Sequence, residues 1–133
     1  MFHMLDTNAC IGVLNRDERF LTRLEKMQAN EVAISQIVLF ELRYGICKSI
    51  LKAKNQIELD RLLHFVPVLD FGSAESAEAA LIRCELEKRG TPIGPFDILI
   101  AAHARAVGAT LVTHNTREFA RVRGLKTVDW QKT

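Results

Sequence analysis

Four acids stand apart from the rest by their surroundings: Asp6, Glu41, Asp97 and Glu118. Each belongs to a different segment, and each interrupts or closes a run that is otherwise apolar. Asp97 follows Gly94-Pro95-Phe96 and precedes Ile98-Leu99-Ile100-Ala101-Ala102-His103-Ala104, which places it in the first turn of a helix apolar on every side. Free backbone N–H groups and the helix dipole favour an anion there. Glu41 lies about 140° around its helix from Gln36, among Ile37, Val38 and Gly45, where an unpaired acid is expensive to bury. Taken singly, Asp97 has an alternative reading as an N-terminal helix charge and Glu41 one as half of an ion pair with a neighbouring Arg or Lys. Taken together, four carboxylates in one place raise one another's pKa unless a cation sits among them. Hard oxygen donors with room for water suit Mg²⁺ or Mn²⁺, and no Cys/His cluster favours zinc. Such an ion orients a phosphate, lowers the pKa of bound water and stabilises a leaving oxygen. One carboxylate would then be free to act as general base. No glycine-rich phosphate loop is present, and His103 on its apolar helix reads as a core histidine rather than as a triad member.

The elements that must carry these acids are short. Phe2 to Leu5 predicts a buried strand, closed by Asp6-Thr7-Asn8 as a strand end and helix cap. Helices are predicted from Ala9 to Leu14, from Asp17 through Met27, from Gln36 to Lys48 behind a Ser35 cap, and from Leu51 to Leu63. Val32 to Ile34 predicts a second strand. Phe65 to Asp70 predicts a third, at an edge because of Pro67. Ser73 to Arg89 predicts a long helix with Ala77, Ala80, Leu81, Cys84 and Leu86 inward, ended by Gly90 and Pro92. The Asp97 helix stops at Gly108. Thr110 to Val112 and Lys126 to Trp130 complete the strands, with Thr116 capping a turn that holds Arg117, Glu118 and Phe119. Strands alternating with helices argue a parallel α/β sandwich, whose ligands bind beyond the carboxyl ends of the strands. Asp6 and the 113–118 stretch follow strands directly, so the acids are expected to converge at one sheet edge.

Composition agrees without deciding the function. The 133 residues, 48% hydrophobic and 26% charged, suit one soluble domain with a proper core. No apolar run spans a bilayer and no signal peptide is visible. Cys10, Cys47 and Cys84 are odd in number and widely spaced, as expected of isolated buried thiols in a reducing cytoplasm. The net charge is +2, but setting four of the 16 acids aside in a pocket leaves 12 against 18 basic residues outside it. A basic exterior around an acidic hole fits a polyanionic substrate reaching a metal site.

Met4-Leu5-Asp6-Thr7-Asn8, Phe40-Glu41-Leu42-Arg43-Tyr44-Gly45, Gly94-Pro95-Phe96-Asp97 with its helix, and Leu111-Val112-Thr113-His114-Asn115-Thr116-Arg117-Glu118-Phe119 resemble, in order, the motifs of the PIN-domain ribonucleases. The resemblance is closest to VapC-type toxins of bacterial toxin–antitoxin modules, and it covers nearly the whole chain. It implies one PIN domain over residues 1–133, a three-layer sandwich with a short-stranded parallel sheet between helices. It also implies a metal-dependent endoribonuclease, with Asp6 and Asp97 as the chief Mg²⁺ ligands (Mn²⁺ as the alternative) and Glu41 completing the acidic centre. Thr7, Asn8 and Thr113 are implied as supporting polar groups. Many members carry aspartate where this chain has Asn115, so Glu118 is the candidate fourth acid and Asn115 a water- or phosphate-orienting amide. Members of this type form homodimers and are inhibited by a VapB-type antitoxin. The approach Gly90-Thr91-Pro92-Ile93-Gly94-Pro95 is similar to that of toxins cleaving initiator tRNA in the anticodon stem–loop. Arg117, Arg121, Arg123 and Lys126 are candidate phosphate contacts, or else a solvated basic face.

Two other readings stay open on the sequence alone. Asn115 allows a domain that binds RNA or a protein without cutting. A flap-type DNA nuclease shares a related acidic centre, but the chain has no room for the DNA-gripping elements of those enzymes.

Overall fold

A computed structural model describes residues 2–132. Its centre is a five-stranded parallel sheet in the order β3-β2-β1-β4-β5, made of β1 (His3–Leu5), β2 (Val32–Ser35), β3 (Val68–Leu69), β4 (Thr110–Val112) and β5 (Lys126–Val128). Seven helices flank it: α1 (Thr7–Leu14), α2 (Glu18–Glu25), α3 (Gln36–Cys47), α4 (Lys52–Phe65), α5 (Ser73–Lys88), α6 (Pro95–Ala106) and α7 (Thr116–Phe119). β1 is paired on both sides, Met4 with Ala33 and with Leu111, so its apolar residues are enclosed and Leu5 is fully buried. Burying one such leucine is worth about 1.5–3 kcal/mol.

Local chemistry sets where the helices begin. Asp6 caps α1, its Oδ1 accepting from Ala9 N at 2.8 Å. Asp17 caps α2 and Ser35 caps α3 through their side chains. Glu75 reaches back to the N–H of Gly72 ahead of α5, and Pro95 occupies the first turn of α6, where a missing N–H costs nothing. Gly90 and Gly108 follow the ends of α5 and α6 at φ +70°, a region open to glycine.

α6 is the buried helix its sequence predicts: Ile98, Ile100, Ala101, Ala102, His103 and Ala104 are all enclosed. It packs chiefly along α5 and also against α3 and β4. His103 Nδ1 lies 2.7 Å from Ser35 Oγ, and its ring meets the edge of Phe71. Burial lowers its pKa and keeps it neutral, so it joins the core rather than a catalytic triad.

Three expectations are corrected. The segment from Phe65 to Asp70 is not all strand: α4 runs through Phe65, and only Val68–Leu69 pair with β2, at the sheet edge that Pro67 suggested. On α5 the inner residues are Ala79, Ile82 and Leu86, while Leu81 is 63% exposed and Ala77, Ala80 and Cys84 also face out. Of the cysteines, only Cys10 is buried. Among the described residues no helix is long and apolar enough to cross a membrane.

Candidate active site

The strand order runs outward from β1 to β3 on one side and continues through β4 and β5 on the other. The direction of winding therefore switches between β1 and β4. That switch point, at the carboxyl ends of the strands, is where parallel α/β sheets leave a crevice. Asp6 ends β1 and Thr113 ends β4, adjacent because Leu5 pairs with Val112. The N–H of Asp6 is held by the Val112 carbonyl at 3.1 Å.

Each acid reaches the crevice on a different element. Asp6 is 6% exposed. Burial pushes its pKa up; the Thr113 hydroxyl and Ala9 N–H work against that, and the nearby Glu41 and Asp129 carboxylates add to it. The Thr113 oxygen also accepts from Asn115 N at 2.9 Å. Glu41, half-buried on α3, accepts at Oε1 from the Thr7 hydroxyl on α1 at 2.5 Å. This neutral partner replaces the Arg or Lys that an ordinary buried ion pair would require.

Asp97 stands three residues beyond Gly94, the residue that caps α6. Its pKa is pushed up to about 6, first by burial and then by the charges of Glu118, Glu41 and Asp6. The three other candidate acids therefore all act on this one carboxylate. Glu118 on α7 accepts Gly94 N at 3.3 Å through Oε1 and the Asn115 side-chain amide at 2.8 Å through Oε2. Asn115 is therefore tied to the fourth acid rather than left free. Asn8 is exposed, and among the described residues no hydrogen bond joins it to the acids. Arg117 is exposed as well, whereas Arg121 donates from Nη1 to the Pro92 carbonyl at 3.0 Å.

Three features of this region do not follow from hydrophobic periodicity. Asp129, at the end of β5, is a fifth acid acting on Asp6. Despite partial burial, hydrogen bonds from Gln131 N and His114 hold its pKa below the usual range. Phe40 and Phe96, next in sequence to Glu41 and Asp97, are exposed and bring their rings within 5.5 Å, linking α3 to α6. A cleft of about 210 Å³ opens from Glu41 past Gly45 toward Asn15 and Asn55. A Cβ built on Gly45 would meet nothing within 4 Å.

Among the described residues no ion pair reaches Asp6, Glu41, Asp97 or Glu118. Nor do any three acid, histidine or cysteine side chains stand close enough to form a ready-made metal cage. The arrangement is an uncompensated acidic hollow rather than a closed ligand shell. A hard cation that keeps most of its water and takes only one or two carboxylates fits such a donor set, and Mg²⁺ has that habit.

Comparison with known proteins places this geometry. The PIN domain family model matches residues 3–125. A tRNA(fMet)-specific endonuclease VapC of Shigella flexneri is 40% identical over 127 residues, 96% of each chain. Ribonuclease VapC2 of Rickettsia felis is 42% identical over 134 residues, 99% of this chain and 100% of that protein. The crystal structure of VapBC2 from Rickettsia felis, bound to a promoter DNA fragment, superposes with a TM-score of 0.92 at 42% identity over 98% of this chain and 99% of that one. The acidic hollow at the β1/β4 switch point thus lies in a chain that belongs to the PIN-domain family, and within it to the VapC proteins.

Proposed function

We propose that this protein is the toxin of a type II toxin–antitoxin module: a Mg²⁺-dependent, site-specific endoribonuclease that cleaves initiator tRNA in the anticodon stem–loop and so stops translation. The observation that carries the catalytic part is the Asp97 carboxyl, pushed up to about 6 by burial and three further acids with no basic partner. Asp6 and Asp97 hold the ion. When bound, it orients the scissile phosphate and makes water a competent nucleophile near neutral pH. Glu41 has one oxygen fixed by Thr7, which leaves the other aimed by that bond and able to accept a proton from water. Thr113 fixes the Asp6 carboxylate, and Asn115 fixes Glu118 as the fourth acid. Arg117, exposed on α7, supplies a phosphate contact on the RNA.

The substrate rests on the Shigella relative named for tRNA(fMet) and on the resemblance of the Gly90–Pro95 approach to that of toxins cleaving initiator tRNA. The antitoxin rests on matching structures that are VapBC complexes. A VapB-type partner presenting an arginine to the hollow would supply the missing counter-charge and shut out the ion. The homodimer belongs to the same proposal, with exposed Phe40 and Tyr44 on α3 as apolar surface available to a second copy.

The test is to incubate the purified protein, free of antitoxin, with total bacterial RNA, with Mg²⁺ or with a chelator, and to sequence the new ends. A single Mg²⁺-dependent cut in the initiator tRNA, absent in Asp6→Asn, is expected. A single cut in another RNA would retain the nuclease and replace its target. RNA retarded in a gel but never cut would overturn the enzymatic reading in favour of a binding domain.

A further inference from the structure

The segment between α5 and α6 carries no secondary structure, yet its end decides where Asp97 stands. Pro92 cannot donate a backbone hydrogen bond, so only its carbonyl is available to fix it. That carbonyl accepts from Arg121 Nη1 at 3.0 Å. Two residues on, the N–H of Gly94 is taken by Glu118 Oε1 at 3.3 Å, while Ile93 between them is buried. Arg121 and Glu118 both belong to the α7 region, so one short turn grips the segment at two points. Arg121 is itself held from behind, its own carbonyl accepting from the Arg89 guanidinium just beyond α5. The consequence reaches the acid directly. A Cβ built on Gly94 would lie 3.5 Å from Asp97 Oδ2, so the carboxylate is folded back over the residue that the latch holds.

We infer that Arg121 is a positioning residue: with Glu118 it latches α7 to the Pro92–Gly94 segment and thereby sets the place of the Asp97 carboxylate. This rests on the functional reading above and assigns Arg121 a role other than contact with RNA phosphate. Among the described residues Arg121 makes no ion pair with any acid, so its effect runs through a directed hydrogen bond rather than through charge. Arg117, four residues earlier, has no such engagement and is the natural comparison. Residues that orient a metal ligand typically change metal affinity or activity 10–100-fold (about that range) when removed. A phosphate contact instead changes RNA affinity and lowers the salt slope of binding by about one.

The experiment compares full-length Arg121→Met, Arg117→Met and Asp97→Asn with the wild type. Mn²⁺ binding is titrated without RNA. Binding of a labelled initiator-tRNA transcript is measured in Ca²⁺ over a series of salt concentrations, and cleavage in Mg²⁺ gives kcat and KM. The latch requires Arg121→Met to bind Mn²⁺ about tenfold more weakly and to lose kcat, with KM and salt slope as in the wild type. Arg117→Met should show the reverse pattern. A lowered salt slope with unchanged Mn²⁺ affinity in Arg121→Met would overturn the latch. If that variant melts early, Arg121→Gln takes its place under the same criteria. Wild-type Mn²⁺ binding and cleavage by Asp97→Asn would instead sink the functional reading, whatever Arg121 does.

Discussion

The hydroxyl of Thr7 donates to Oε1 of Glu41, joining the first turn of α1 to the middle of α3. Thr7 thereby fixes one of two equivalent carboxylate oxygens and decides which is free for chemistry. A hydrogen bond to a charged group is worth about 1.5–3 kcal/mol. Thr7→Val keeps the shape and removes the donor, so RNA cleavage should fall about 10–100-fold and the melting temperature by several degrees. Thr7→Ser should retain most of the rate. Loss in Thr7→Ser with retention in Thr7→Val would mean that the methyl group, not the hydroxyl, is what matters.

The raised pKa of Asp97 gives stability a definite pH dependence in the metal-free protein. The folded carboxyl titrates at about 6 against an ordinary value of 3.8. Between those values the folded state holds the proton and the unfolded state has lost it. This contribution is therefore fully present below about pH 4 and is lost as pH rises to about 6. Asp97→Asn should lack that decline. With allowance for screening at a half-buried site, it should be more stable than the wild type at pH 7 by about 1 kcal/mol, a few degrees in Tm. Mg²⁺ should restore the wild type at pH 7 and do much less for the variant. The measurement is thermal unfolding across pH with chelator and with Mg²⁺. Parallel curves for the two proteins would remove the acids' mutual repulsion from the account.

Two helical glycines should respond in opposite ways. Gly12 on α1 faces Phe20, and a Cβ there would lie 2.6 Å from the ring. Phe20 is buried against Trp130, so Gly12→Ala should destabilise by about 1–3 kcal/mol. Gly45 meets nothing, and Gly45→Ala should stabilise α3 by up to about 1 kcal/mol. Gly45→Leu would fill the cleft beside Glu41, leaving the fold intact and lowering cleavage if substrate lies there. Unfolding midpoints and RNA cleavage rates check both positions.

Much of this was legible from residue order because the site grows out of local signals. Strand ends, caps and a proline at the start of a buried helix locate Asp6, Glu41 and Asp97 before any packing is known. The inner side of α5 was not legible. Its alanines and leucines are spread around the helix, so periodicity could not choose between the side holding Leu81 and the side holding Ile82, and only the fit against α6 decides. The sequence predicts too long a strand from Phe65 because β-branched and aromatic residues there serve the end of α4 as well as an edge strand. The engagement of Arg121 by Pro92 was equally hidden. A carbonyl partner 29 positions away leaves no pattern, whereas a basic cluster looks the same whether it faces RNA or backbone.

The central place of β1 also governs when the acidic hollow can assemble during synthesis. Asp6 precedes β4 by about a hundred residues, so β1 gains its second neighbour only when Thr110–Val112 has been made. Glu118 and Arg121 come later still. At about 5–20 residues per second, seconds separate the first acid from the last. A nascent chain carries the acids on open segments until Glu118 has emerged, and only then can the hollow close. A partner translated alongside it has that interval in which to be waiting.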